Sequence, residues 1–459
     1  MPDCQKKFDC KKEAACPYKK ELQDLKEEFA YLKFELEELR SKRYKSGKKS
    51  SPDNPDSPLR VPKKKGGRFG HFGWFRKKPK KIDRTEEIKL SSCPECGSSE
   101  ITECDKISEH IQEDITLPQV ETVLYKHRHY YCKHCRKVVS SKGKDELANS
   151  YIGPKAKAFA AFLRYAIKIS ERDVQTLFER AFNLKIVASS IAGFRYQLKR
   201  AGSPLYQKLM QSLKAGSFIH ADETGWRIDG QNHWLWKFSN KKVSVSHIDQ
   251  SRGQKVVEDI LGKDYAGTLI TDFLSAYNKI ASKNKQRCLV HIARDLKKVK
   301  EYWQDDPEVL GYIKRLKEIF ENAAALQKEY KNKDWDKSYC ARRESLKDSL
   351  RDFSFPNPNK RILKRFAKRL ERHKDELLTF LYEKGVDYHN NHAEQQIRPD
   401  VIFRKITFGN RSENGAQYHS VIMSILQTAK LNGIDPISTF KDILLGAKQY
   451  PLLAALSPP

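Results

Sequence analysis

Phe218-Ile-His-Ala-Asp222 and Thr268-Leu-Ile-Thr-Asp272 are two short apolar runs that each close on an aspartate. Short apolar segments bounded by turn residues read as strands. Between them lie Trp226 to Ile228, Trp234 to Phe238 and Val243 to Ile248, three further runs with strand character. Tight turns are expected at Asp229-Gly230 and Asn240-Lys241, and a helix from Gln254 to Leu261. The order is therefore strands joined by turns, then a helix, then the strand that ends at Asp272.

That is the order of a ribonuclease H-like sheet. If the strands ending in Asp222 and Asp272 are neighbours, the two carboxylates converge. Like charges forced together repel unless cations bridge them. Hard oxygen ligands suit Mg²⁺ or Mn²⁺, and two ions about 3.5 to 4 Å apart activate the attacking oxygen and stabilise the leaving one in phosphodiester chemistry. A plainer reading stands beside this one, because an acid at a strand end is commonly a turn or a cap. Glu223, next to Asp222, is expected on the opposite face of the strand, which would make it a negative control.

A third acid is Glu394, within Asn390-Asn-His-Ala-Glu394-Gln-Gln-Ile-Arg-Pro399, at an expected helix start where backbone amides and the dipole accommodate a carboxylate. Nearby Arg398, Arg404, Lys405 and Arg411 are candidates to hold phosphates, and Gly409 and Gly415 permit close backbone approach. Cys288-Leu-Val-His291 falls on what reads as the next strand after Asp272. It has no second C-x-x-H pair nearby, so a supporting role in packing or in bracing the site fits better than zinc.

Working outward, the chain has 88 Lys plus Arg against 59 Asp plus Glu, a formal charge of +29 over 459 residues. Its length implies two or more domains. The positive field favours a polyanion. The longest apolar runs, such as Ala158 to Leu163, are too short to cross a bilayer, so nucleic acid is the expected partner and no membrane. Met1-Pro-Asp-Cys-Gln-Lys-Lys7 lacks the apolar stretch of a secretory signal, and a cytoplasmic, reducing setting is expected. In that setting the ten cysteines are ligands or buried thiols rather than a disulfide framework.

Upstream, Leu22, Leu25, Phe29, Leu32, Leu36 and Leu39 recur at spacings of three and four. They imply a coiled-coil helix in residues 1–45 and a homo-oligomer, or else an amphipathic helix folded back on its own domain. Residues 46–85 form a basic linker in which Phe69, Phe72, Trp74 and Phe75 sit between lysine clusters; it is a solvated spacer or a base-stacking arm. Residues 86–145 hold Cys93-Pro-Glu-Cys96 and Cys132-Lys-His-Cys135, four thiolates suited to a structural Zn²⁺ in a zinc ribbon. Cys104 and His134 are substitute ligands, and Cys4, Cys10 and Cys16 stay unassigned.

Residues 150–214 read as helices from Ala156 to Ile169, Glu171 to Phe182 and Ala188 to Arg200. They form either a plain connector or a helix-turn-helix reader with Arg195, Lys199 and Arg200 towards DNA. The catalytic domain then occupies 217–292 and 386–459, split by a charged helical insertion at 293–385 whose basic face clamps DNA or is simply solvated. The whole is a multidomain α+β or α/β chain.

Taken in order, D-E-T at Asp222, T-D-x-x-x-A-Y from Thr271 to Tyr277, C-x-x-H at Cys288, N-N-x-A-E from Asn390 to Glu394, then I-R-P, R-K and Gly415-Ala416, resemble the insertion sequence 66 transposase family. The tail from Thr428 to Pro436 fits as well, and so does the N-terminal half. The resemblance implies a D-D-E triad at Asp222, Asp272 and Glu394, with Asn391, Cys288 and His291 as supporting residues. It also implies strand cleavage and strand transfer at the ends of a bacterial insertion sequence, with accessory element-encoded proteins as further candidate partners. Two positions depart from the family pattern: Gly is missing before Arg404, and Ile406 stands where an aromatic follows Arg-Lys. A catalytically silent DNA-binding relic or repressor, and a ribonuclease H-like nuclease or resolvase, are the competing readings.

Overall fold

The structure, a computed structural model, describes residues 120–134, 136–139, 141–302, 306–353 and 361–456, with Phe29, Leu32, Thr85, Ser98 and Ser99 as isolated positions. Of the proposed coiled coil, only Phe29 and Leu32 are described; both are helical and exposed. The other heptad leucines, most of the linker, and Cys93, Cys96 and Cys135 lie outside the described residues. A short hairpin pairs β1 (Tyr130–Cys132), which ends on Cys132, with β2 (Lys137–Val139).

Three helices follow: α1 (Pro154–Phe162), α2 (Glu171–Phe182) and α3 (Ala188–Lys214). Ser170 caps α2 in a reciprocal box with Asp173, and Asn183 ends it at a positive φ of 52°. These are the residue types that start and stop helices. The third helix runs well past the expected Arg200, through Pro204 to Lys214. Its first half joins Val174 and Phe178 of α2 in a small core. Its second half, through Leu205, Leu209 and Leu213, packs into the main core.

The central sheet comprises β3 (Phe218–Ile228), β4 (Gln231–Ser239), β5 (Ser244–Asp249), β6 (Asp264–Thr271) and β7 (Ala281–Arg287), in the order β5-β4-β3-β6-β7. The first three strands are antiparallel neighbours, whereas β6 runs parallel to both β3 and β7. The first run continues past Asp222 without a break, so the two expected strands Phe218–Asp222 and Trp226–Ile228 are one. At its far end Asp229 and Gly230 both take positive φ, 46° and 76°. Those values suit the Asp-Gly hairpin turn, whose twist matches that of the flanking strands.

Helix α4 (Gln254–Leu261) crosses from β5 to β6. The Cys288 run corrects the sequence expectation: β7 ends at Arg287, and Leu289, Val290 and His291 open helix α5 (Leu289–Tyr302). An apolar triplet of that length satisfies a strand or a helix face equally, and burial against the neighbouring helices decides. Then come α6 (Pro307–Glu329), α7 (Lys337–Arg351) and α8 (Arg361–His373), sharing a second core with α5 through Leu296, Tyr312, Leu316 and Phe380. The chain returns to the sheet with α9 (Asn391–Thr407), α10 (Glu413–Leu431) and α11 (Pro436–Leu445), and a short α12 (Pro451–Ala455) follows. In the main core Ile422, Ile425 and Leu426 of α10 lie with Val245 of β5 and Phe238 of β4.

Candidate active site

The parallel register pairs His220 with Ile270. Carried two residues further, it sets Asp222 level with Asp272, and in a pleated sheet positions at the same level share a face. Glu394 comes from the first turn of α9. The charges of both Asp272 and Glu394 bear on Asp222, so the three acids share one field. Burial, then Glu223, Asp272 and Glu394, push the Asp222 carboxyl well above its ordinary range. Among the described residues no Lys or Arg forms an ion pair with any of the three, and no three His, Cys, Asp or Glu side chains stand close enough to hold a metal ion.

Each acid is held differently. Asp222 accepts the Glu223 amide at 3.0 Å. Asp272 lies just past the end of β6 and accepts the Leu274 amide at 2.8 Å, closing a turn. The Asp272 main chain is fixed by Arg287, a fully buried guanidinium that donates to the Asp272 carbonyl at 2.8 Å and to Thr271 Oγ1 at 3.0 Å, while Glu376 takes its Nε at 2.6 Å. Glu394 is half-buried, with His291 Nε2 at 4.0 Å from its carboxylate. Burial keeps the His291 imidazole below its usual range, although the Asp272 charge pulls the other way.

Asn390 ties these pieces together. Its Nδ2 donates to the Ala221 carbonyl at 2.7 Å, its Oδ1 lies 3.1 Å from His220 Nδ1, and its backbone amide donates to Cys288 Sγ at 3.2 Å. One buried residue, through its side chain and its backbone amide, therefore joins the strand of Asp222, the start of the His291 helix and the start of the Glu394 helix. The supporting asparagine expected from the sequence was Asn391; the one that makes these bonds is Asn390. The two adjacent asparagines look alike in sequence, and burial separates them. Desolvation drives His220 down to about 3, so it is a neutral ring in this network.

Glu223 also differs from expectation. It is buried, with Arg252 at 2.7 Å and the Tyr277 hydroxyl donating to it at 3.2 Å. Burial first, and the Asp272 charge second, raise its carboxyl. Glu223 lies in the middle of β3, but its charge bears on Asp222 and the charge of Asp272 bears on it, so it is no neutral control.

Behind the acids lies a fully buried ion cluster. Lys237, opposite Asp222 in the β3–β4 register, pairs with Asp400 at 2.9 Å, and His419 Nε2 meets the same carboxylate at 2.8 Å. Burial acts to raise the Asp400 carboxyl, but Lys237 and His419 overcome it and hold it below its usual range. This cluster stakes α9 and α10 to β4. Sequence reasoning missed it because its members stand alone in apolar surroundings without a recognisable spacing.

The cations proposed for DNA divide in two. Arg398, Lys405, Arg411 and Arg200 are exposed, and Lys199 is half-buried. Arg404 instead turns inward, donating to Thr224 Oγ1 at 3.0 Å and to the Gly225 carbonyl. Arg195 pairs with Glu171 at 3.1 Å. These two guanidiniums are bracing groups in this fold.

A five-stranded mixed sheet, flanked by helices and presenting three acids in one field on a strongly basic chain, defines the class. The model of the Transposase IS66 family matches residues 149–418. The chain belongs to that family. Among curated relatives from Sinorhizobium fredii, Uncharacterized protein y4hP is 20% identical over 407 residues, covering 79% of this chain and 71% of its own length. Uncharacterized protein y4jD is 22% identical over 272 residues, 52% of each chain. Uncharacterized protein y4qI is 32% identical over 71 residues, 16% of this chain, and the match spans 13% of that relative's length.

Proposed function

We propose that the chain is a D-D-E transposase with a ribonuclease H-like core, cutting and rejoining DNA at the ends of a bacterial insertion sequence. The observation that carries this reading is the shared field of Asp222, Asp272 and Glu394, three acids from β3, the end of β6 and α9 with no pairing Lys or Arg among the described residues. Carboxylate oxygens are the donor type a hard divalent cation takes, although the three acids are not gathered closely enough to hold one ion jointly, so binding would have to draw them together. Asp222 and Asp272 would hold Mg²⁺ or Mn²⁺ with Glu394, and the ion would supply activation of the attacking oxygen and stabilisation of the leaving one. The chain's own residues do the positioning: Arg287 fixes the Asp272 backbone, Asn390 fixes α9 against β3, and His291 sits beside Glu394.

In the proposed reaction water attacks phosphorus at the element end. The P–O3′ bond breaks, and the departing oxygen takes a proton to leave a free 3′-hydroxyl. That hydroxyl then attacks a target phosphodiester, a new P–O bond forms, and the target's own 3′-oxygen leaves. No bond to the protein is made. Asp222→Ala, Asp272→Ala and Glu394→Ala should each abolish Mg²⁺-dependent cleavage of element-end duplexes while leaving binding intact. Full cleavage by any one of them would overturn the triad.

The same proposal includes DNA as partner, with Arg398, Lys405 and Arg411 near the site and Lys199 and Arg200 on α3 as contacts, and a zinc ribbon built on Cys93, Cys96, Cys132 and Cys135. Among the described residues no helix is long and apolar enough to cross a membrane.

A further inference from the structure

We propose that one flank of α8, with the facing surface of α5, is a track for the phosphates of duplex DNA leading away from the acidic site. This inference rests on the DNA-cutting reading above. Helix α8 buries Phe366, Leu370 and His373. Beside that face lies Arg369, which pairs with Asp295 of α5 and stacks 4.8 Å from the ring centroid of Phe273, the residue after Asp272. The His373 ring meets Phe273 edge-on at 5.5 Å. The helix is thus docked against the loop that leaves the second aspartate.

Arg365 and Arg372 stand one helical turn before and after Arg369, on the same flank. Both are exposed, and neither makes an ion pair among the described residues. Lys364 and Lys368 are exposed further round the helix. On α5, Arg294 and Lys298 are exposed at i, i+4 spacing and likewise make no ion pair among the described residues. That helix opens beside His291, the neighbour of Glu394.

Four exposed cations, Arg365 and Arg372 on α8 and Arg294 and Lys298 on α5, therefore flank the Asp295–Arg369 pair that joins the two helices, with Lys364 and Lys368 adding charge further round α8. The exposed acid on α8, Glu371, is taken by Lys374 at 2.9 Å. Like charges one turn apart repel, so an isolated helix gains nothing from this arrangement; a polyanion laid along it does. Arg365 and Arg372 are separated by about 10 Å along the helix axis, about three base-pair rises when projected on the duplex axis. A guanidinium fork suits phosphate oxygens.

The test uses the full chain and a random-sequence DNA duplex, with affinity read by fluorescence anisotropy across a salt series in EDTA. Arg365→Ala/Arg372→Ala should lower the magnitude of the log K against log salt slope by about 1.8, at about 0.9 for each phosphate that is no longer neutralised. Lys328→Ala/Lys331→Ala removes the same charge from exposed positions elsewhere and should leave the slope near that of the unaltered chain. An unchanged slope in the arginine variant, or an equal fall in the lysine variant, overturns the track. Cleavage by the unaltered chain is scored separately: cleavage with an unchanged slope sinks only the track, and a reduced slope without cleavage sinks only the catalytic reading.

Discussion

At the scale of single residues, burial and the charges of Glu223, Asp272 and Glu394 hold the Asp222 carboxyl well above its ordinary value of 3.8. Between those two values the cation-free fold binds more protons than the unfolded chain, so its stability falls as pH rises through that window. Asp222→Asn removes the charge and should raise the melting temperature at neutral pH, by roughly 2–4 °C per kcal/mol relieved, with a smaller gain near pH 4. Adding Mg²⁺ should stabilise the unaltered chain and not the variant. Calorimetry showing an equal gain at both pH values would sink this account. Asp272 was legible as the acid that follows a strand, a local pattern that holds at the end of β6; the same pattern singled out Asp222, although β3 runs on through it to Ile228. The true surroundings of Glu223 were not, because Arg252 and Tyr277 reach it from other segments.

At the scale of elements, α9 carries Glu394 at one end and Asp400 in its middle. The buried Lys237–Asp400–His419 cluster is what sets the helix against the sheet. Lys237→Met leaves the buried Asp400 with only His419 and the Ser246 hydroxyl, at 3.4 Å, as partners and should cost about 3–5 kcal/mol, read as a lower urea midpoint. Lys237→Met/Asp400→Leu should recover most of that loss, since removing both charges leaves nothing to desolvate. If the single variant unfolds at the unaltered midpoint, the cluster is not what holds α9. The helix from Gln254 to Leu261 and the β3–β4 turn could be read from spacing and from Asp-Gly chemistry. The helical identity of Leu289 to His291 could not, because three residues carry no period, and packing against α6 and α8 sets it.

At the scale of the whole molecule, the sheet order β5-β4-β3-β6-β7 puts β3 in the centre, where one edge receives the second aspartate and one face receives α9. Motif order along the sequence pointed to that arrangement, whereas the brace at Asn390 emerged only in three dimensions. For the N-terminal region, Cys93→Ser or Cys132→Ser should lower bound zinc in elemental analysis of the full chain; unchanged stoichiometry would remove the ribbon. The Asn390–Ala221 hydrogen bond joins residues 169 positions apart. A ribosome thus completes Asp222 and Asp272 long before it reaches Glu394. Under the proposed chemistry a chain made only as far as Asp272 would lack both the third acid and the asparagine that fixes its helix, so the site would assemble only once the C-terminal part is made.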